Sequence, residues 1–168
     1  GQVERITGVG GSFTLSWFSY HKPRSITQGN GWDSQFWYDA ERSRWKQSSL
    51  GGFGNEVRYY VGGLYEKVFT GGLIEHHHFI QVAGRTVALV KRVSGSEETR
   101  WLHHDHLGSL EVMTDSNGNP VGELQSYDAW GKRRDPLTWV TPRTGLAIGD
   151  GSYSPALFTR RGYTGHEH

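Results

Sequence analysis

The chain has 168 residues, with 18 lysines and arginines, 17 aspartates and glutamates, and no cysteine. That length suits one ordinary domain, and a formal net charge of +1 offers no bulk attraction to nucleic acid or an anionic membrane. Without cysteine there are no disulfides, no thiolate metal ligands and no cysteine nucleophile. No apolar run approaches the ~18 residues of a spanning helix, and residues 1–11 lack the basic start and apolar block of a signal peptide. The 24 glycines and 13% aromatic residues predict short strands and tight turns, since glycine permits turns and aromatic rings favour strands.

In chain order, "GQVERITGVGG" (1–11) predicts one short strand, Val3 to Thr7. "SFTLSW" (12–17) alternates, with Phe13, Leu15 and Trp17 on one face. "EVRYYV" (56–61) and "LYEKVF" (64–69) flank Gly62-Gly63, a hairpin signal. "LIEHHHFIQV" (73–82) and "TVALVKRV" (86–93) flank "AGR", which predicts a slightly longer hairpin loop. "ETRWLHH" (98–104), "SLEVMT" (109–114) and "PVGELQSY" (120–127) continue the meander, and Asn117-Gly118 predicts a type I′ turn. Residues 135–159 hold three prolines and three glycines and read as an irregular connection within one domain, 1–168.

Asp-x-x-Gly occurs at Asp105–Gly108, Asp115–Gly118 and Asp128–Gly131. Aspartate favours the first position of a type I turn because its carboxylate accepts backbone N–H bonds there, and glycine favours the fourth. His104 and Tyr127 precede two of these aspartates and would end their strands, each ring covering a neighbouring turn. Tyr38-Asp39 repeats the beginning, with Arg42 in the glycine's place.

These residues resemble the YD repeats of Rhs (rearrangement hotspot) proteins and their relatives among Tc toxins and teneurins. The similarity is to the C-terminal part of the core region that precedes the polymorphic toxin. "YYVGGLYEKV" (59–68), "HHDHLGSLEVMTDSNGNPV" (103–121), "YDAWGKRRDPLTW" (127–139) and "RGYTGHEH" (161–168) resemble its landmarks in order. "HKPRSITQGN" and "FWYDAERSRWKQ" extend the similarity upstream. The resemblance implies an all-β, curved antiparallel sheet, part of a spiralling shell, with few or no helices. It implies that the shell sequesters a C-terminal toxin domain for bacterial competition, delivered by type VI secretion or an injection complex. It implies as partners the rest of the shell and the toxin, and a bacterial protein that is cytoplasmic before delivery and then secreted. The family's self-cleavage segment would follow "RGYTGHEH"; Asp135-Pro136 is followed by Leu137 and Thr138 and does not match its cleavage motif.

Tyr38, Asp39, His104, Asp105, Gly108, Asp115, Gly118, Tyr127, Asp128 and Gly131 are therefore expected to be structural turn residues. No catalytic residue, cofactor or enzyme activity is assigned: no Gly-x-Ser-x-Gly elbow occurs. The rival reading is a metal- or carbohydrate-binding β-module using the His- and Trp-rich strands. His76, His78, His103, His104 and His106 are its candidate ligands, with Asp105 beside them. A hydrolase relying on Asp105, Asp115 or Asp128 is a third reading. Glu97-Glu98 read as a solvated loop. "GKRRD" (131–135) with Trp130 and Trp139 reads as a solvated edge rather than a nucleic-acid platform. Unpaired strand edges are expected to drive association with a second copy, another shell segment or the cargo.

Overall fold

The computed structural model describes residues 3–8, 11–29, 31–51, 55–122, 124–129, 131 and 134–139. Gly1-Gln2, the C-terminal landmark at 161–168 and most of the irregular segment (140–159) lie outside these residues.

Twelve strands form an antiparallel sheet whose spatial order is the chain order, and no helix occurs among the described residues. They are β1 (Val3–Gly8), β2 (Gly11–Trp17), β3 (Pro23–Gln28), β4 (Trp32–Tyr38), β5 (Arg44–Leu50) and β6 (Glu56–Val61). Then follow β7 (Tyr65–Thr70), β8 (Leu73–Val82), β9 (Arg85–Val93), β10 (Ser96–His104), β11 (Leu110–Thr114) and β12 (Pro120–Val121). The expected all-β class is the observed one. By compactness the chain divides within β8, into residues 1–76 and 77–168.

Tight turns set the hairpins of the meander. Gly71-Gly72, Ala83-Gly84 and Ser94-Gly95 each place two consecutive residues at positive φ, the geometry whose twist matches paired strands. "AGR" is thus a two-residue turn, with Arg85 already in β9. Ala83 pays for this with φ 49°, because its Cβ crowds the backbone there.

In residues 1–76, opposite partners Phe36, Gln47, Arg58 and Val68 run in one row across β4 to β7, so their side chains share a face. Phe36, Arg58 and Val68 are buried. Arg58 and Glu66 are 5% and 4% exposed. The guanidinium bonds Glu66 through Nη1 and Glu56 through Nε at 3.2 Å. Burial alone would lower the Arg58 pKa, but Glu56 and Glu66 outweigh it and raise it; the pairing is what allows a buried charge. The opposite face carries a second row, Trp37, Lys46, Tyr59 and Lys67. Lys46 Nζ lies 4.5 Å from the Trp37 ring centroid and 5.6 Å from that of Tyr59, attracted by the rings' negative faces.

In residues 77–168, Phe79, Leu89, Leu102, Leu110 and Met113 form the buried cluster. Register explains it. Arg100 lies opposite Leu89 and Leu102 opposite Met113, so alternation puts Leu89, Arg100, Leu102 and Met113 on one face. Each buried leucine contributes about 1.5–3 kcal/mol relative to exposure. Trp101, one residue out of phase, is 45% exposed. Glu97 and Glu98 belong to β10 rather than a loop, and both are paired: Glu97 with Arg92 at 2.6 Å, and Glu98 with Arg100.

Candidate functional site

The feature that recurs through the fold is a five-residue loop. In Phe18–Lys22, Asp39–Ser43, Asp105–Ser109 and Asp115–Asn119 the first residue's N–H donates to the fifth residue's carbonyl, at 2.8–3.0 Å. The fourth residue's N–H returns to the first residue's carbonyl at 3.1 Å in all four. The fourth residue always has positive φ: His21 60°, Arg42 63°, Gly108 86° and Gly118 83°. Asp128 begins a fifth turn, with Gly131 N–H on its carbonyl at 3.1 Å and φ 82° at Gly131.

The aspartate side chain adds a cap. Asp105 Oδ1 accepts from Leu107 N–H at 2.9 Å and Ser109 N–H at 2.8 Å. Asp115 Oδ1 accepts from Asn117 and Asn119 N–H at 2.8 and 2.9 Å. Asp39 Oδ1 accepts from Ser43 N–H at 2.8 Å. These bonds favour the ionised form. What burial Asp105 has raises its pKa, but the Ser109 and Leu107 N–H bonds prevail and hold it below the usual carboxylate range. Asp115 is likewise lowered, chiefly by the Asn119 N–H. Each carboxylate is thus already used by its own loop.

Before three of these four loops, the preceding residue marks a shift of strand register. Pairing slips between Ser16 and Trp17, between Trp37 and Tyr38, and between His103 and His104. Such a bulge adds twist where the chain turns. Tyr38, placed there, packs edge-on against Phe18 at 5.9 Å and Tyr20 at 6.2 Å, while Phe18 and Tyr20 stack at 5.0 Å. One loop's ring therefore covers the neighbouring loop. Burial raises the Tyr38 pKa, against Arg44. His104 occupies the equivalent place and is half-buried; burial first, then Arg85, lowers its pKa. Tyr127 is also half-buried.

The Phe18–Lys22 loop carries neither aspartate nor glycine, so the residue pattern gave no sign of it. The only available signal was its aromatic neighbours, Trp17 and Phe18. The type I′ expectation at Asn117-Gly118 is corrected as well. Only Gly118 has positive φ, because the loop begins at Asp115 and puts its left-handed residue fourth.

Two of the candidate metal ligands have other engagements. His76 Nδ1 and the Tyr65 hydroxyl are 2.6 Å apart, and the rings stack. His103 Nε2 lies 3.0 Å from Thr114 Oγ1. His106 is exposed and His78 partly so. No group of three or more His, Asp or Glu side chains able to hold one ion occurs among the described residues. His77, given no role by its pattern, is the buried histidine among the described residues, 5% exposed. In the "GKRRD" stretch, Arg134 Nε donates to Ser126 Oγ at 2.9 Å and its guanidinium lies 4.0 Å from the Trp139 ring centroid. Trp130, Lys132 and Arg133 lie outside the described residues.

Fold and turns together define the class: an all-β protein built as a sequential antiparallel sheet with a recurring Asp-headed loop. Among solved structures, it is similar to a chain in the crystal structure of TcdB2-TccC3, with a TM-score of 0.64 at 13% sequence identity. The likeness covers 92% of this chain and 8% of that one, so this chain spans a small part of the neighbour's length, and the two share an all-β fold. No protein-family profile and no curated protein matches the sequence.

Proposed function

We propose that the chain is a wall segment of an Rhs-type β-shell that sequesters a toxic C-terminal domain until delivery. The carrying observation is the likeness to the TcdB2-TccC3 chain over 92% of this sequence. The repeating loop supports it physically. Each loop closes on its own backbone and carboxylate, so strand after strand can be added in chain order without long crossovers. The role is steric, and the carboxylates act on turn N–H groups rather than on a substrate. β1 has a neighbouring strand on one side only among the described residues, and an open edge of this kind pairs with further strands. The remaining shell, the enclosed domain or a second copy would fill it. Release in bacterial competition, through type VI secretion or an injection complex, completes the reading.

Electron microscopy of the product of the full reading frame tests this. The expected result is a hollow β-wall containing this segment, with density for a separate domain inside. A solid globular body, or a segment standing outside any wall, would overturn it. For the isolated chain, ultracentrifugation should show concentration-dependent association; a monomer at every concentration would count against the open edge.

A further inference from the structure

Asn117 is the exposed third residue of the Asp115–Asn119 loop, and glycine follows it. In a free chain this pair forms a cyclic imide readily, because a glycine nitrogen has no side chain to shield its attack. In the folded loop that nitrogen is committed. Gly118 N–H donates to the Asp115 carbonyl at 3.1 Å, and Asn117 N–H donates to Asp115 Oδ1 at 2.8 Å.

We propose that Asn117 is a deamidation site gated by its turn, nearly inert while the loop is closed and reactive when it opens. In the reaction the Gly118 nitrogen gives up its proton and bonds to Asn117 Cγ. The side-chain nitrogen leaves as ammonia, with a proton. Water then opens the imide at either carbonyl, leaving aspartate or isoaspartate at position 117. No oxidant or reductant is needed.

The isoaspartate product cannot restore the same closed loop, because it lengthens the backbone by one methylene, whereas the aspartate product keeps the backbone and adds a negative charge two residues from Asp115. Among the described residues the β11–β12 pairing comprises Met113–Val121 and Thr114–Pro120, with one further backbone bond from Gln125 N–H to the Glu111 carbonyl at 2.7 Å, so loop closure contributes to holding this short hairpin. Deamidation to isoaspartate therefore makes an opening permanent. The neighbouring Asn119 is a built-in control, because Pro120 has no N–H to lose. At the other Asn-Gly sequence, 30–31, the Gly31 N–H donates to the Gln28 carbonyl at 3.1 Å.

The test incubates the intact chain in mildly alkaline buffer, native and in urea, and follows position 117 by peptide mass spectrometry with isoaspartate detection. Reaction only from the open loop predicts a native rate at least about tenfold below the urea rate. Asp115→Ala should raise the native rate, whereas Asp115→Asn, which keeps an acceptor oxygen, should raise it less. Equal native and urea rates would overturn the proposal. So would Asp115→Ala with an intact strand signal and an unchanged native rate. If Asp115→Ala loses that signal, the native-against-urea comparison on the unsubstituted chain decides.

Discussion

Replacing Asp105 by alanine tests whether the carboxylate serves the turn. Asp105 Oδ1 holds two backbone N–H groups, those of Leu107 and Ser109, at 2.9 and 2.8 Å. Water can reach the exposed Leu107 end, but Ser109 is 2% exposed and its N–H is harder to resolvate. Loss of a capping oxygen costs about 0.5–2 kcal/mol, and the buried Ser109 places this one near the top, about 2 kcal/mol. In a chain of this size that corresponds to a melting temperature lower by roughly 4–8 °C. Asp105→Asn keeps an acceptor oxygen and should cost much less. Urea and thermal unfolding followed by circular dichroism give the magnitudes, and hydrogen exchange at the Leu107 and Ser109 amides localises them. The depressed Asp105 pKa fixes the sign with pH. Its stabilisation is complete above the ordinary aspartate pKa and is lost as pH falls through the lower folded value. The variants' stabilities should therefore converge with wild type in strong acid. An alanine variant within about 0.5 kcal/mol of wild type, or an asparagine variant equally damaged, would refute the reasoning.

Arg58→Ala leaves Glu56 and Glu66 facing each other without their cation, and should cost about 3–5 kcal/mol by urea unfolding; a loss under about 1 kcal/mol would show that water already reaches the site. Ala83→Asn should stabilise by up to about 1 kcal/mol, because asparagine tolerates the left-handed backbone, and a lower melting temperature would contradict the strain at φ 49°. His104 has a lowered pKa, so the unfolded state takes up its proton first. Stability should fall as pH drops below about 6.5 towards the folded value. His104→Tyr should reduce that slope between neutral and mildly acidic pH, and an unchanged slope would assign it to the other histidines.

Local chemistry made much of this protein legible in its sequence. Alternation located most of the strands, and Asp-x-x-Gly located the loops at Asp105, Asp115 and Asp128, because a carboxylate and a glycine act within four residues of each other. Tyr38-Asp39 pointed to its loop even with Arg42 in the left-handed position. β3 and β5 were not separated from the motifs around them, and the Phe18–Lys22 loop carried neither the aspartate nor the glycine that marked the others. Only cross-strand pairing decided those, together with the register shifts before Trp17, Tyr38 and His104. Pairing also selected His77 for burial over His76 and His78, and joined Arg58 to Glu66 across β6 and β7. The physical reason is common to all of them. A strand's neighbours lie outside its own sequence, and a one-residue change of register exchanges its two faces.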